Sequence, residues 1–484
     1  MKLLTLSVHQ LGELMERKEF SSEELTRVHL ERISQVEDEI KAFVTVTEEA
    51  ALAQARAVDQ KRARGEELSL LAGIPMAITD NICTDGVKTT CASRILYNFV
   101  PPYDAEAAAR LKGAGAVLMG KCSMDEFSIG PAEEKSGFFS ARTPFAPEAA
   151  PGGSSGGAAA VAAGEAAFTL GSDTAGSLRQ PAAFCGVIGL KPTYGRVSRY
   201  GLISYASSLD QIGPFARDMA DLALILNTIC GHDAKDSTSA AVAGPDFKKS
   251  LINDVKGLKI GLPKEYLANT EPRAAVKIWE AAAQLEELGA VCEEVSMPHT
   301  EYALPAHYII SSAEASSNLA RYDGVRYGLR VDADDVLNMF SKTRGQGFGD
   351  QVKTRIMLGT HVLSAANYDD YYVKALQVRT LIKQEFARTF EKFDCLLTPA
   401  SSTIAGQSRK ETDGPLAAYW SKACNIPVNL AGVPAMSLPF GLVEGLPVGL
   451  QFIAPHFGEE ILLRVGYTLQ QNTEQTRLKP GLAC

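Results

Sequence analysis

At 484 residues, with 46% hydrophobic and 22% charged side chains, the chain has the composition of a soluble globular protein with a large core. Its 48 basic residues against 57 acidic ones give a net charge of −9, which argues against gripping nucleic acid by charge. Nine cysteines, scattered and without a CxxC pair, suggest neither a disulfide framework nor a zinc site, and fit a reducing cytoplasm.

The opening MKLLTLSVHQLGE has too short an apolar run for a secretory signal, and no apolar stretch is long enough to span a bilayer. Residues 7–17 and 22–37 have the spacing of amphipathic helices, with Ser21 and Glu24 forming a capping box for the second. A strand is expected over 41–46, then an alanine-rich helix through Arg64. Gly73 to Thr79 reads as a short buried strand ending in the polar turn Asp80-Asn81. A helix over 104–112, a strand over 116–120 and a turn from Lys121 to Glu126 follow.

Pro151 to Pro192 holds two glycine-serine clusters, 152–157 and 171–177, separated by an alanine-rich helical segment and closed by the apolar run 187–190. A loop, helix, loop arrangement of this kind brings both serine clusters to one site. Further on, strands over 258–262 and 290–296 flank a helix over 272–288. Residues 304–393 read as helical, with a polar break near 343–350. Strands over 394–398, 433–438 and 447–453 and a helix over 458–471 complete the chain. Alternating helices and strands, with strands at both ends, predict an α/β fold: one large mixed, twisted sheet flanked by helices, in a single domain over 1–484.

Three other readings of the glycine-serine stretch are opposed by its own residues. Gly152 to Gly156 fits G-x-S-x-G, but a proline-rich loop precedes it where a nucleophile elbow needs a strand, and no histidine sits in a suitable context. No lysine follows Gly157, as a phosphate loop requires. A flexible linker is opposed by the helix-forming alanines that follow at once.

Taken together, PGGSSGG and GSDTAGSLRQPAAFCGVIGLKPTYGRVSRYGL resemble the amidase signature family. The resemblance extends through DNICTDGVKTTCASRIL, AARLKGAGAVLMGKCSMDEF, SSLDQIGPFARD and NLAGVPAMSLPFG, with a core signature over about 70–215 and a mainly helical segment over about 300–393. Within the family, SSAEASSNLARYDGVRYG and RIMLGTHVLSAANYDDYYVKA are similar to segments of the A subunits of tRNA-dependent glutamine amidotransferases.

The resemblance implies a Ser, cis-Ser, Lys triad with Ser177 as nucleophile and Ser154 as bridging serine. Ser154 would follow a non-proline cis peptide after Gly153, a bond costing about 3–4 kcal/mol. Backbone N–H groups from Thr174, Ala175, Gly176 and Ser177 would hold the oxyanion. Tyr308 and Arg355 would meet glutamine, or another small amide. Also implied are partner B and C subunits, with ATP and magnesium on the partner and tRNA met only through it. No metal or cofactor is expected in this chain.

Several residues depart from the family pattern. Thr79 stands where the triad lysine is expected, and a threonine hydroxyl cannot act as a general base near neutrality. Ala175 replaces a glycine beside the oxyanion hole, where a methyl matters if the backbone needs positive φ. A serine is missing before Ala158, and Pro131-Ala-Glu133 replaces a polar turn. In Tyr419-Trp-Ser-Lys422, Lys422 takes the place of the aspartate that meets the α-ammonium of glutamine. Two such charges about 4 Å apart repel by ~4 kcal/mol at an effective dielectric of 20. Three readings stay open: a glutamine amidohydrolase subunit, a pseudo-amidase scaffold, or an amidase whose base has moved to Lys422 or Lys121 and whose substrate is a different amide.

Overall fold

The computed structural model describes residues 2–130, 138–405 and 422–481. Eleven strands form one sheet: β1 (Phe43–Val46), β2 (Pro75–Thr79), β3 (Val117–Cys122), β4 (Phe168–Asp173), β5 (Ile188–Lys191), β6 (Gln211–Ala216), β7 (Lys259–Pro263), β8 (Val291–Val295), β9 (Cys395–Pro399), β10 (Ala435–Val443) and β11 (Leu446–Ile453). Their spatial order is β1-β3-β2-β4-β6-β5-β10-β11-β9-β7-β8. Strands from both ends of the chain therefore share the sheet, as the alternating pattern predicts.

The sheet is mixed. β3, β2 and β4 run parallel at one end and β9, β7 and β8 at the other. The pairs between these groups are antiparallel. Every residue of β2 to β6 is buried, including the polar Thr169, Ser172 and Asp173 of β4, as expected of strands covered on both faces. The edge strand β8 is half exposed and carries Glu293 and Glu294, charges that discourage pairing with another chain.

Local sequence accounts for the flanking helices. Ser21 caps the helix Ser22–Ile40 as expected: Glu24 N–H donates to Ser21 Oγ (3.1 Å), and Ser21 N–H donates to the Glu24 carboxylate (2.8 Å). The helix Ser155–Ala163, made only of Ser, Gly, Ala and Val, is buried along nearly its whole length. Large side chains would hold it away from the sheet. No helix is long and apolar enough to cross a membrane among the described residues.

Some expected boundaries shift. Lys121 and Cys122 belong to β3 rather than to a turn, because they pair with Ile78 and Thr79 of β2. Residues 171–173 of the second serine cluster are strand, since β4 inserts between β2 and β6. In the helical segment the break is confined to Phe348 and Gly349, between helices Val336–Gly347 and Asp350–Val362, and a longer non-helical stretch covers 322–335. The 131–133 turn and residues 419–421 lie outside the described residues.

The helix Ala303–Asn318 packs closely on Asp350–Val362 and so brings Tyr308 beside Arg355. A methyl on Gly359 would lie 1.9 Å from the Ser312 carbonyl oxygen. Gly359→Ala gains about 1 kcal/mol in an open helix. Here it should cost about 1–3 kcal/mol through overpacking, seen as a lower urea midpoint with an unchanged m value.

Candidate active site

Three parallel strands end together. The loops after β2, β3 and β4 meet the first turn of Ser155–Ala163, the place where open α/β sheets hold their ligands. Ser154 and Ser177 are neighbours here: Ser154 N–H donates to the Ser177 carbonyl at 2.8 Å. Both are almost fully buried, at 0% and 2% exposure. Gly153 makes this approach possible. A Cβ on it would lie 2.8 Å from Ser177 Cβ, and its φ is +64°.

The Gly153–Ser154 peptide is trans, which corrects the cis linkage implied by the resemblance. Gly152 and Gly153 both have left-handed φ, +71° and +64°, and these two residues turn the chain. Asp125 fixes the result: its carboxylate accepts Gly153 N–H at 2.7 Å, and its own N–H donates to Gly153 O at 2.9 Å. Burial pushes the Asp125 carboxyl up, while the Lys422 charge and Gly153 N–H oppose that rise.

The nucleophile loop hangs on a buried ion pair. Arg179 Nε and Nη2 donate to the two carboxylate oxygens of Asp173 at 3.0 and 3.1 Å, and Asn429 donates to the same carboxylate at 2.9 Å. Burial pushes Asp173 up, but Arg179 outweighs it and holds the carboxyl at about 2. Asp173 also accepts Gly176 N–H at 2.8 Å. Gly176 has φ +93°, and a Cβ there would lie 2.4 Å from Asn425 Cβ.

This revises the expected oxyanion hole. Gly176 N–H is taken by Asp173, and Thr174 N–H points at Ser177 Oγ (3.3 Å). The N–H groups of Ala175 and Ser177 have no acceptor among the described residues. Ala175 does not have positive φ, so its methyl is tolerated, and it packs in the cluster that contains Ile426 and Cys424.

Thr79 and Lys121 both sit close to this loop but serve the strands. Thr79, fully buried, donates its hydroxyl to the Leu170 carbonyl of β4 at 2.9 Å. Ser154 Oγ donates to Ser172 O at 3.0 Å and accepts Ser172 N–H at 3.2 Å. Asn81 donates to Ser172 Oγ at 2.8 Å. The Lys121 ammonium donates to Ile82 O and to Thr89 Oγ1, 4.0 Å from the Asp80 carboxylate, and neither site serine is among its partners. Burial lowers the Lys121 pKa, against the attraction of Asp80.

The expected substrate residues also converge. The Arg355 guanidinium, 3% exposed, stacks 3.6 Å from the centre of the Tyr308 ring and donates to Ser312 Oγ at 3.0 Å. Burial, joined by the charges of Arg355 and then Lys422, lowers His307 to about 3. Lys422 thus acts on the same small region as Arg355, and on Asp125 under the Gly153 turn. Sequence reasoning did not single out Asp125, Asp173, Arg179, Asn429 or Asp210. All five lie within the quoted motifs, and the short acids among them are suited to binding exposed backbone N–H groups.

Residues 24–463 match the family described as amidase. A glutamyl-tRNA(Gln) amidotransferase A subunit from Moorella thermoacetica is 58% identical over 484 residues, covering 100% of this chain and 99% of that protein. The crystal structure of the glutamyl-tRNA(Gln) amidotransferase A subunit from Thermotoga maritima is 38% identical with a TM-score of 0.82, covering 100% of this chain and 99% of the other. A native peptide amidase from Stenotrophomonas maltophilia is 30% identical with a TM-score of 0.85, covering 99% of each chain.

Removing Arg179 should show how far the loop depends on it. Arg179→Met leaves Asp173 buried without its charge partner and should cost about 3–5 kcal/mol in denaturant unfolding. A loss under about 1 kcal/mol would mean that water or another group replaces the guanidinium.

Proposed function

The chain belongs to the amidase family, and on that premise we propose that it is the glutamine-amidohydrolase subunit of a tRNA-dependent amidotransferase. The observation that carries the reading is the pairing of Ser154 N–H with Ser177 O, beside the N–H groups of Ala175 and Ser177 that no described residue accepts. Ser177 Oγ attacks the carboxamide carbon of glutamine, and those N–H groups receive the oxyanion. The Ser177 hydroxyl proton passes to the amide nitrogen, the C–N bond breaks and ammonia leaves, and water then releases glutamate from the serine ester. The full-length likeness to the A subunits of amidotransferases supports glutamine as the amide. In this reading Arg355, stacked on Tyr308, meets the substrate carboxylate.

The ammonia serves a partner B subunit, which uses ATP and magnesium to activate Glu-tRNA(Gln) or Asp-tRNA(Asn), with a C subunit completing the complex. tRNA is met through that partner, consistent with the net charge of −9 on this chain. The complex works in the cytoplasm, where aminoacyl-tRNA is used.

One observation favours a second reading, a scaffold with impaired hydrolysis. The Ser177 hydroxyl meets Thr174 N–H and is not hydrogen-bonded to the Ser154 hydroxyl, so no proton relay leaves it among the described residues. The hydroxyls of Ser154 and Thr79 both donate to carbonyls of β4, and Lys121 is occupied elsewhere. A relocated base at Lys422, whose charge is felt at Asp125, would act on an amide without an α-ammonium.

Ammonia release from glutamine by the purified complex decides between these. The unmodified complex should turn over about 10²–10⁴ times more slowly than one carrying Thr79→Lys, because a positioned base contributes about that much. Thr79→Lys alone should raise kcat and leave KM high, and adding Lys422→Asp should lower KM. Fast release by the unmodified complex that is lost in Ser177→Ala would sink the scaffold reading. Fast release that persists in Ser177→Ala would remove Ser177 as nucleophile.

A further inference from the structure

Thr174 holds Ser177 Oγ through its backbone N–H, and Thr174 is itself held by a second buried acid. Asp210, 3% exposed, lies just before β6. One of its carboxylate oxygens accepts the Thr174 hydroxyl at 2.6 Å. The other accepts Ser204 Oγ at 2.7 Å and the N–H groups of Tyr205 and Ala206, each at 3.0 Å. All four of these partners are donors. The preceding residue joins the same network, since Asn429 donates both to Leu209 O and to the Asp173 carboxylate.

We propose that Asp210 is a positioning residue for Ser177: its ionised carboxylate fixes Thr174, and Thr174 in turn presents the Ser177 hydroxyl to substrate. The proposal rests on the reading of Ser177 as nucleophile. A neutral carboxyl loses the charge that strengthens these four bonds, and its new O–H donor is surrounded by donors, of which only the hydroxyls can turn to accept it. The two backbone N–H groups cannot reverse, which leaves the Thr174 and Ser204 hydroxyls to give way. When the Thr174 hydroxyl is the one released, the Thr174 end of the loop loses its side-chain tether, while Asp173 and Ser154 still hold Gly176 and Ser177.

The titratable neighbours come from two elements. Glu314, on the helix Ala303–Asn318, opposes ionisation, and its own carboxylate accepts Ser208 N–H and Oγ. Arg199 favours ionisation from the loop before Ser204, and the Tyr194 phenol faces the same charge. Burial raises Asp210 to about 6, against the pull of Thr174 and Ser204. Ser177 should therefore be well presented above that pH and progressively less so below it.

A fluorophosphonate probe reads this without requiring glutamine turnover. Ser177 Oγ forms a bond to phosphorus, the P–F bond breaks, and the hydroxyl proton leaves with fluoride. The second-order labelling rate at Ser177 is followed by peptide mass spectrometry from pH 5 to 8, with thermal unfolding recorded for each variant. At pH 7.5, Asp210→Asn and Thr174→Val should label about tenfold more slowly, the scale expected for a misplaced reacting group. Asp210→Glu, which keeps a carboxylate, should label faster than Asp210→Asn. The ratio of unmodified protein to Asp210→Asn should shrink toward one as pH falls below about 6.

A folded Asp210→Asn that labels at the unmodified rate overturns the proposal, and so does a ratio that stays constant with pH. Should Asp210→Asn fail to fold, Thr174→Val carries the same test: labelling at the unmodified rate overturns the proposal. No labelling of Ser177 in the unmodified protein overturns the nucleophile assignment itself. Normal labelling in the variants leaves that assignment standing and removes Asp210 alone.

Discussion

The buried Asp173–Arg179 pair is the constraint on which the site depends. Asp173 is the last residue of β4 and Arg179 the first of the helix Arg179–Phe184, so one ion pair closes the loop that carries Ser177. Both side chains are fully buried, and burial of charge is tolerated only where every oxygen and N–H finds a partner. Arg179 meets this by also donating to Gln451, Asn425 O and Asn429. The loop is thereby tied to β11 and to the helix Ile426–Ala431. Residues 272 positions apart in sequence thus help to fix one serine, which is why the sheet must mix strands from both ends of the chain.

Close backbone approach is the second theme. Gly153 lets one turn rest on Ser177, Gly176 lets the next rest on Asn425, and Gly359 lets two helices touch under Arg355. At each position a side chain would separate what the site needs together. Acids then bind the N–H groups that such turns expose: Asp125 at Gly153 and Asp173 at Gly176. The site is thus rigid in its backbone. What distinguishes it is where the hydroxyl protons point, toward strand carbonyls instead of a basic nitrogen.

Much of this was legible in the sequence. The Ser21–Glu24 capping box, the buried strand ending at Thr79, the adjacency of the two serine clusters and the Tyr308–Arg355 pair follow from residue pattern or family resemblance. Other features were not. β4 reads as the end of the helical segment and the start of a loop, because alanines precede it and Gly171 and Ser172 have low strand propensity, and only its neighbours β2 and β6 impose extended backbone. Lys121 looked like a turn residue because its charge hid its burial, and the carbonyl of Ile82 and the hydroxyl of Thr89 that satisfy it come from a distant loop. The division of oxyanion donors also could not be read, since it depends on which N–H groups Asp173 takes.

Thr79 has a wider consequence. Its hydroxyl is satisfied, its methyl is packed and its strand pairs on both sides, so the fold gives no sign of distress at that position. A population screened for expression, solubility or assembly would carry such a residue silently. On the proposed reading, in which this position bears on proton transfer, only selection on the chemistry could see it. Architecture and chemistry are then separable at that one point.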